Sequence, residues 1–106
     1  MRYCDLHCDA LTASGALQVT AERLAAGGCL LQCFAAFVGE GGFARFCLLA
    51  DKYDAMCERE GYHRVLCASD VREDAVNALF TSEGGAFSTL EELEGLYERG
   101  VRMAGF

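Results

Sequence analysis

The sequence predicts an α/β protein built on a parallel β-sheet. Strand-like and helix-like segments alternate along the whole chain, and residues 29–38 form one almost continuously apolar strand of the kind covered on both faces. The helical segments open on capping residues and stop at glycines. Alternation of this kind is the signature of βαβ units, whose crossovers are right-handed.

Residues 2–9 alternate with period two and predict the first strand: Cys4, Leu6 and Cys8 take one face, and Tyr3, Asp5, His7 and Asp9 the other. Residues 20–26 predict a short helix started by Thr20 and stopped by Gly27 and Gly28. The apolar second strand leads into a turn at residues 39–42. A long helix follows, with Phe43, Phe46, Cys47, Ala50, Tyr53 and Cys57 on one side and Asp51, Lys52, Glu58 and Arg59 on the other, and Gly61 ends it. Residues 64–68 suggest a short extended piece, and Ser69 a cap for a brief acidic turn. Residues 75–82 predict the third strand, closed by Glu83, Gly84 and Gly85. Ser88 and Glu91 have capping-box spacing ahead of a helix carrying Leu90, Leu93 and Tyr97. Gly100 stops that helix, and residues 101–106 begin a fourth strand. The chain stops inside this apolar strand, which predicts a truncated domain.

Composition narrows the function classes. The chain has 106 residues, enough for one modest core, and its 53% hydrophobic content excludes disorder along the whole length. A formal net charge of −7 argues against nucleic acid or anionic lipid as a partner, since both require clustered Lys and Arg. No apolar run reaches the roughly 18 to 20 residues that a membrane helix needs. An acid at position 5 stands where a signal peptide would carry its apolar segment, so the expected location is the cytoplasm. Seven cysteines without an export signal read as reduced, mostly buried thiols. Cys4/Cys8 and Cys29/Cys33 do not form a zinc knuckle, because four strand residues span about 13 Å.

Three features could carry chemistry. His7, Cys8 and Asp9 close the first strand, with His7 and Asp9 on one side, where an imidazole and a carboxylate can share a divalent metal. The plain alternative is a strand-end histidine hydrogen-bonded to a neighbouring acid. Glu83 closes the third strand at the C-terminal rim of the sheet, where parallel folds place ligands, and Gly84 and Gly85 permit a sharp turn there. Its alternative is a solvated turn residue. Gln32, inside an apolar strand, reads as a satisfied core amide rather than a catalytic group. His63, after Gly61, reads as an exposed loop residue. Residues 39–42 lack the phosphate-loop pattern, and Ser14 and Ser82 lack a nucleophile-elbow context. No residue is singled out as the catalytic acid or base.

Taken in order, the segments are more specific than any one of them. D-L-H-C-D at the first strand, E-R-L-A-A-G-G-C-L-L-Q-C-F-A-A-F through the second, A-L-F-T-S-E-G-G at the third and L-E-E-L-E-G-L-Y-E-R-G-V-R-M into the fourth resemble the membrane (renal) dipeptidase family of zinc peptidases. The resemblance covers essentially the whole chain and is weakest over residues 10–20 and 61–74. It implies a (β/α)8 TIM-type barrel, of which residues 1–106 are the N-terminal half with about four strands and their helices. It also implies a two-zinc site that hydrolyses dipeptides, with His7 and Asp9 as ligands of one zinc and Glu83 as the carboxylate bridging both. The family's second zinc takes two histidines from later strands, and no histidine follows His63 here. At most one complete zinc site is therefore expected, and the chain alone is expected to be inactive. The implied partners are a dipeptide substrate and either the missing C-terminal half or a second copy. Two rival readings are a non-catalytic metal-binding half-barrel that dimerises, and an amidohydrolase-type deaminase or lactonase. The latter enzymes typically carry His-x-His on the first strand, unlike His7-Cys8-Asp9.

The cysteine reading has a direct check. Thiol titration of the denatured, non-reduced protein is expected to find close to seven free groups; one or fewer would restore a disulfide framework.

Overall fold

The computed structural model describes residues 1–105. It contains a mixed α/β fold in which every strand pairing is parallel. The elements run β1 (Tyr3–Asp5), α1 (Ala21–Gly27), β2 (Cys29–Phe37), α2 (Gly42–Glu60), β3 (His63–Arg64), β4 (Asn77–Glu83), α3 (Leu90–Glu98) and β5 (Val101–Gly105). In the sheet β1 lies on β2, β2 on β4, and β4 carries two neighbours on its other side. The short β3 pairs with the first residues of β4, and β5 with Phe80 to Glu83. Apart from β3, neighbour order follows chain order without reversing.

The core forms between this sheet and α2. Phe34, Ala36, Ala78, Phe80 and Val101 pack with Phe46, Leu49, Ala50, Tyr53, Met56 and Cys57 of the helix. Phe80 is its centre: its ring stacks nearly parallel on that of Tyr53, with centroids 4.2 Å apart, and lies 5.7 Å from that of Phe46. Helix α3 approaches α2 at Gly95, where a Cβ would meet the Phe43 ring at 2.8 Å. Caps set the helix ends by satisfying backbone groups left open there. Thr20 accepts the Arg23 N–H ahead of α1, and Gly28 and Gly61 adopt left-handed φ values of 82° and 74° behind α1 and α2.

Several expectations require correction. The first strand is three residues long, because the Asp5 carboxylate accepts the His7 N–H at 3.2 Å and competes with the ladder. Among the described residues five strands are present rather than four, since residues 63 and 64 pair with β4. The turn that follows is held by Cys67 and Asp70, not Ser69: Asp70 Oδ2 accepts the amides of Leu66 and Cys67. The cap of α3 is Thr89 with Glu92, one residue beyond the expected pair, and Glu92 Oε2 also accepts the Ser88 N–H. The larger correction concerns the face of α3. Leu96 is buried, whereas Leu90 and Tyr97 are 79% and 63% exposed. Of the seven free thiols, Cys29, Cys33 and Cys57 are buried, Cys8 and Cys47 are partly covered, and Cys4 and Cys67 are exposed. Position 106 of the expected last strand lies outside the described residues. Among those described, no helix is long and apolar enough to cross a membrane.

Phe80→Ala is expected to destabilise the fold by about 3–5 kcal/mol. Leu90→Ala should stay within about 0.5 kcal/mol. Urea unfolding of the two variants measures the contrast, and comparable losses would place Leu90 in the core.

Candidate metal centre

The β2–β4 register sets the upper rim of the sheet. Phe37 pairs with Glu83, the last residue of β4. On the other side of β2, the segment leaving β1 stays attached, since the Ala35 N–H donates to the Cys8 carbonyl at 2.9 Å. Cys8 packs against the core, which turns its neighbours His7 and Asp9 away from the helices. Glu83 follows Thr81 on the same side of β4, by the alternation of a strand. Parallel pairing thus brings the C-terminal ends of two strands, and three side chains able to ligate a metal, to one place.

The geometry is compact. His7 Nε2 stands 3.1 Å from Asp9 Oδ2 and 3.9 Å from Glu83 Oε1. One ligand atom from each of the three residues lies within 4.8 Å of the other two. Ligands of a tetrahedral zinc ion lie about 3.4 Å apart, given metal–ligand bonds of about 2.0–2.2 Å. The donor set, one imidazole nitrogen and two carboxylates, fits a divalent cation in both chemistry and spacing. Among the described residues, the carboxylates of Asp9 and Glu83 have no hydrogen-bond or ion-pair partner other than His7. Their remaining lone pairs face solvent, with side-chain exposures of 56% and 38%.

The turn after Glu83 accounts for its two glycines. Gly84 and Gly85 take φ values of 80° and 74°, and a Cβ on Gly84 would stand 3.1 Å from the Gly39 nitrogen. The Val38 N–H donates to the Glu83 carbonyl at 3.0 Å, so the rim is tied to the β2 side as well. Gly105 leaves room beside the carboxylate: a Cβ there would lie 3.6 Å from Glu83 Cβ.

The other candidates fall elsewhere. Gln32 is buried, and its amide donates to the Cys33 carbonyl at 3.2 Å, as a core amide does. His63 is not an exposed loop residue. It lies in β3, is partly buried, and its Nε2 is 2.8 Å from the Asp70 carbonyl. Its register partner is Asn77, at the opposite end of β4 from Glu83. Sequence reasoning missed Asp5, whose carboxylate positions the backbone of His7. The signal was the string Asp5-x-His7-x-Asp9, in which an acid two residues back can accept a turn amide.

His7 titrates above the ordinary histidine value, chiefly because protonated imidazole donates to Asp9, with the charges of Asp9, Glu83 and Asp5 adding to the effect against a smaller opposing cost of burial. No protein-family model and no curated protein sequence matches this chain.

Since the folded-state value is raised, the stability contributed by this pair is fully present below about pH 6.5 and is lost as pH rises through the folded-state value. NMR titration of the imidazole is expected to show a midpoint above 6.5 that falls in Asp9→Asn. An unshifted midpoint in the parent protein would mean that the contact does not persist in solution.

Proposed function

We propose that His7, Asp9 and Glu83 hold one divalent cation, zinc, and that the chain is the zinc-binding N-terminal half of a dipeptidase of the membrane dipeptidase type, acting in the cytoplasm. The observation that carries this reading is the convergence of an imidazole and two otherwise unpartnered carboxylates at the C-terminal rim of one parallel sheet. Two further observations support it. Strand order follows chain order through β1, β2, β4 and β5, an order compatible with the winding of a (β/α) barrel. The rim motifs also occur in the order and context that resemble that family.

Zinc held there by His7, Asp9 and Glu83 would supply Lewis acidity, polarising a carbonyl and activating water. The chain's own residues prepare for it. His7 offers Nε2 once its proton is lost, so affinity should rise with pH across the titration of that group. Asp9 and Glu83 supply negative charge that attracts a cation and, before one binds, disfavours an anionic substrate. Asp5 holds the backbone from which His7 projects. Cys8, partly covered and packed against the core, separates the two proposed ligands in sequence.

A second reading is favoured by one specific observation. His63 lies at the far end of β4, so among the described residues His7 is the single imidazole at this rim. A second zinc would have Glu83 and no imidazole. This arrangement suits a metal-binding module without turnover, unless further strands supply the missing groups.

Calorimetric zinc titration is expected to show one site per chain, weakened at least about tenfold in His7→Ala and in Glu83→Gln, since even outer-shell changes cost about 10–100-fold. The chain alone should hydrolyse L,L and L,D dipeptides negligibly with added zinc. Absence of zinc binding would reject the site. Turnover abolished by His7→Ala would instead reject the incomplete-centre reading.

A further inference from the structure

We propose, building on the zinc reading above, that Ala35 is a positioning residue of the metal centre: because its side chain ends at Cβ, His7 and Glu83 can meet across the strand that separates them. The proposed ligands come from opposite flanks of β2. His7 and Asp9 belong to the segment that follows β1, which stays beside β2 through the bond from the Ala35 N–H to the Cys8 carbonyl. Glu83 belongs to β4, on the other flank. Neighbouring strands lie about 4.8 Å apart, so about 10 Å separates the backbones of the two sides. His7 Nε2 and Glu83 Oε1 nevertheless stand 3.9 Å from each other. Both side chains therefore lean over β2, and what β2 presents beneath them decides whether they meet.

The alternation of β2 identifies the residue beneath the span. Phe34 and Ala36 pack in the core with α2, so Ala35 points to the opposite face, the one that carries Thr81 and Glu83 on β4. The register agrees, since Ala35 pairs with Thr81 and Phe37 with Glu83. Ala35 and Phe37 are thus the two β2 residues of that face at the level of the site. Phe37 is half-exposed, and its ring lies toward the glycine turn, where a Cβ on Gly84 would stand 3.4 Å from it and one on Gly39 3.9 Å. That leaves Ala35 under the span.

Space at this position is already used. Ala35 lies outside the core cluster, yet only 1% of it is exposed, so side chains on the rim face close over it. A longer side chain there must displace what lies above, because close-packed sites take added methylene groups only by moving their neighbours. His7 and Glu83 are carried by different strands, so bulk between them spreads them instead of shifting them together. Asp9 shares a segment with His7 and follows it. The result is an intact His7–Asp9 pair with Glu83 withdrawn.

Calorimetric zinc titration of the 106-residue chain is expected to show Ala35→Leu weakening the site at least about tenfold, as changes behind a ligand do, with Ala35→Ser within about threefold of the parent. In the metal-free protein, the NMR contact between the His7 ring and the Glu83 side chain should persist in Ala35→Ser and vanish in Ala35→Leu. In a Glu83→Gln background, Ala35→Leu should add little further loss, since the ligand it displaces has already been removed. Parental zinc affinity in Ala35→Leu sinks the positioning role alone and leaves the zinc reading intact. An equal loss with and without Glu83 also overturns the role, because that is how a general disturbance of the fold behaves. A parent that binds no zinc removes the metal centre and this role with it. If Ala35→Leu loses its circular dichroism spectrum, Ala35→Val makes the same comparison with a smaller enlargement.

Discussion

The structure hangs on the parallel pairing of β2 with β4. Seven consecutive register partners, from Leu31 with Asn77 to Phe37 with Glu83, join the two longest strands. This ladder presents Phe34 and Phe80 to α2 on one face. It also carries β1 on one flank and β3 and β5 on the other. A slip of one residue would exchange the two faces of the moved strand, sending Phe80 out of the core and Glu83 toward the helices. Packing and the rim cluster are therefore set by the same constraint.

The two ends of the sheet treat polar groups differently. At the lower end they are satisfied internally. The Asn77 amide donates to the carbonyls of Leu30 and Arg72 and accepts the Arg72 N–H, and Arg99 pairs with both Asp51 and Asp54. Backbone amides, that of Leu66 foremost, hold the Asp70 carboxyl below its ordinary value. At the upper end, three carboxylates surround one imidazole, and among the described residues Asp9 and Glu83 lack backbone donors. Such groups are well solvated, so leaving them unpaired costs little, and they remain free to take a ligand. This asymmetry is the one parallel α/β folds use when loops at the C-terminal ends of strands carry chemistry and the opposite ends carry stability.

What could be read in the sequence follows from how local each signal is. The β2 strand and the limits of α1 and α2 were legible, because a run of apolar residues, a threonine cap and a glycine stop act within a few residues. The β3 strand was not, since two residues show no period and their pairing depends on Asn77 and Ala78, far along the chain. The cap of α3 moved by one because Ser88 and Thr89 each precede an acid by three positions, and only packing selects between them. Leu90, Leu93 and Tyr97 formed a valid helical stripe, but periodicity does not say which apolar stripe meets the sheet; Leu96 on another side does so. At the site, Glu83 was legible as a strand-end residue, whereas His7 and Asp9, expected to close the first strand, lie just beyond it; parallel topology sends all three to one rim. The contribution of Asp5 was not, because it is a contact between a side chain and a backbone amide that forms only where the strand breaks off.

That break separates folding from chemistry. The segment bearing His7 and Asp9 is anchored by the His7 N–H to Asp5 and by the Cys8 carbonyl to the Ala35 N–H. Neither anchor uses the side chain of residue 7 or residue 9. Those two positions can be exchanged for other side chains while the backbone that presents them keeps its attachments. The rim is thus an evolvable platform, on which a change of chemistry requires new side chains but no new scaffold.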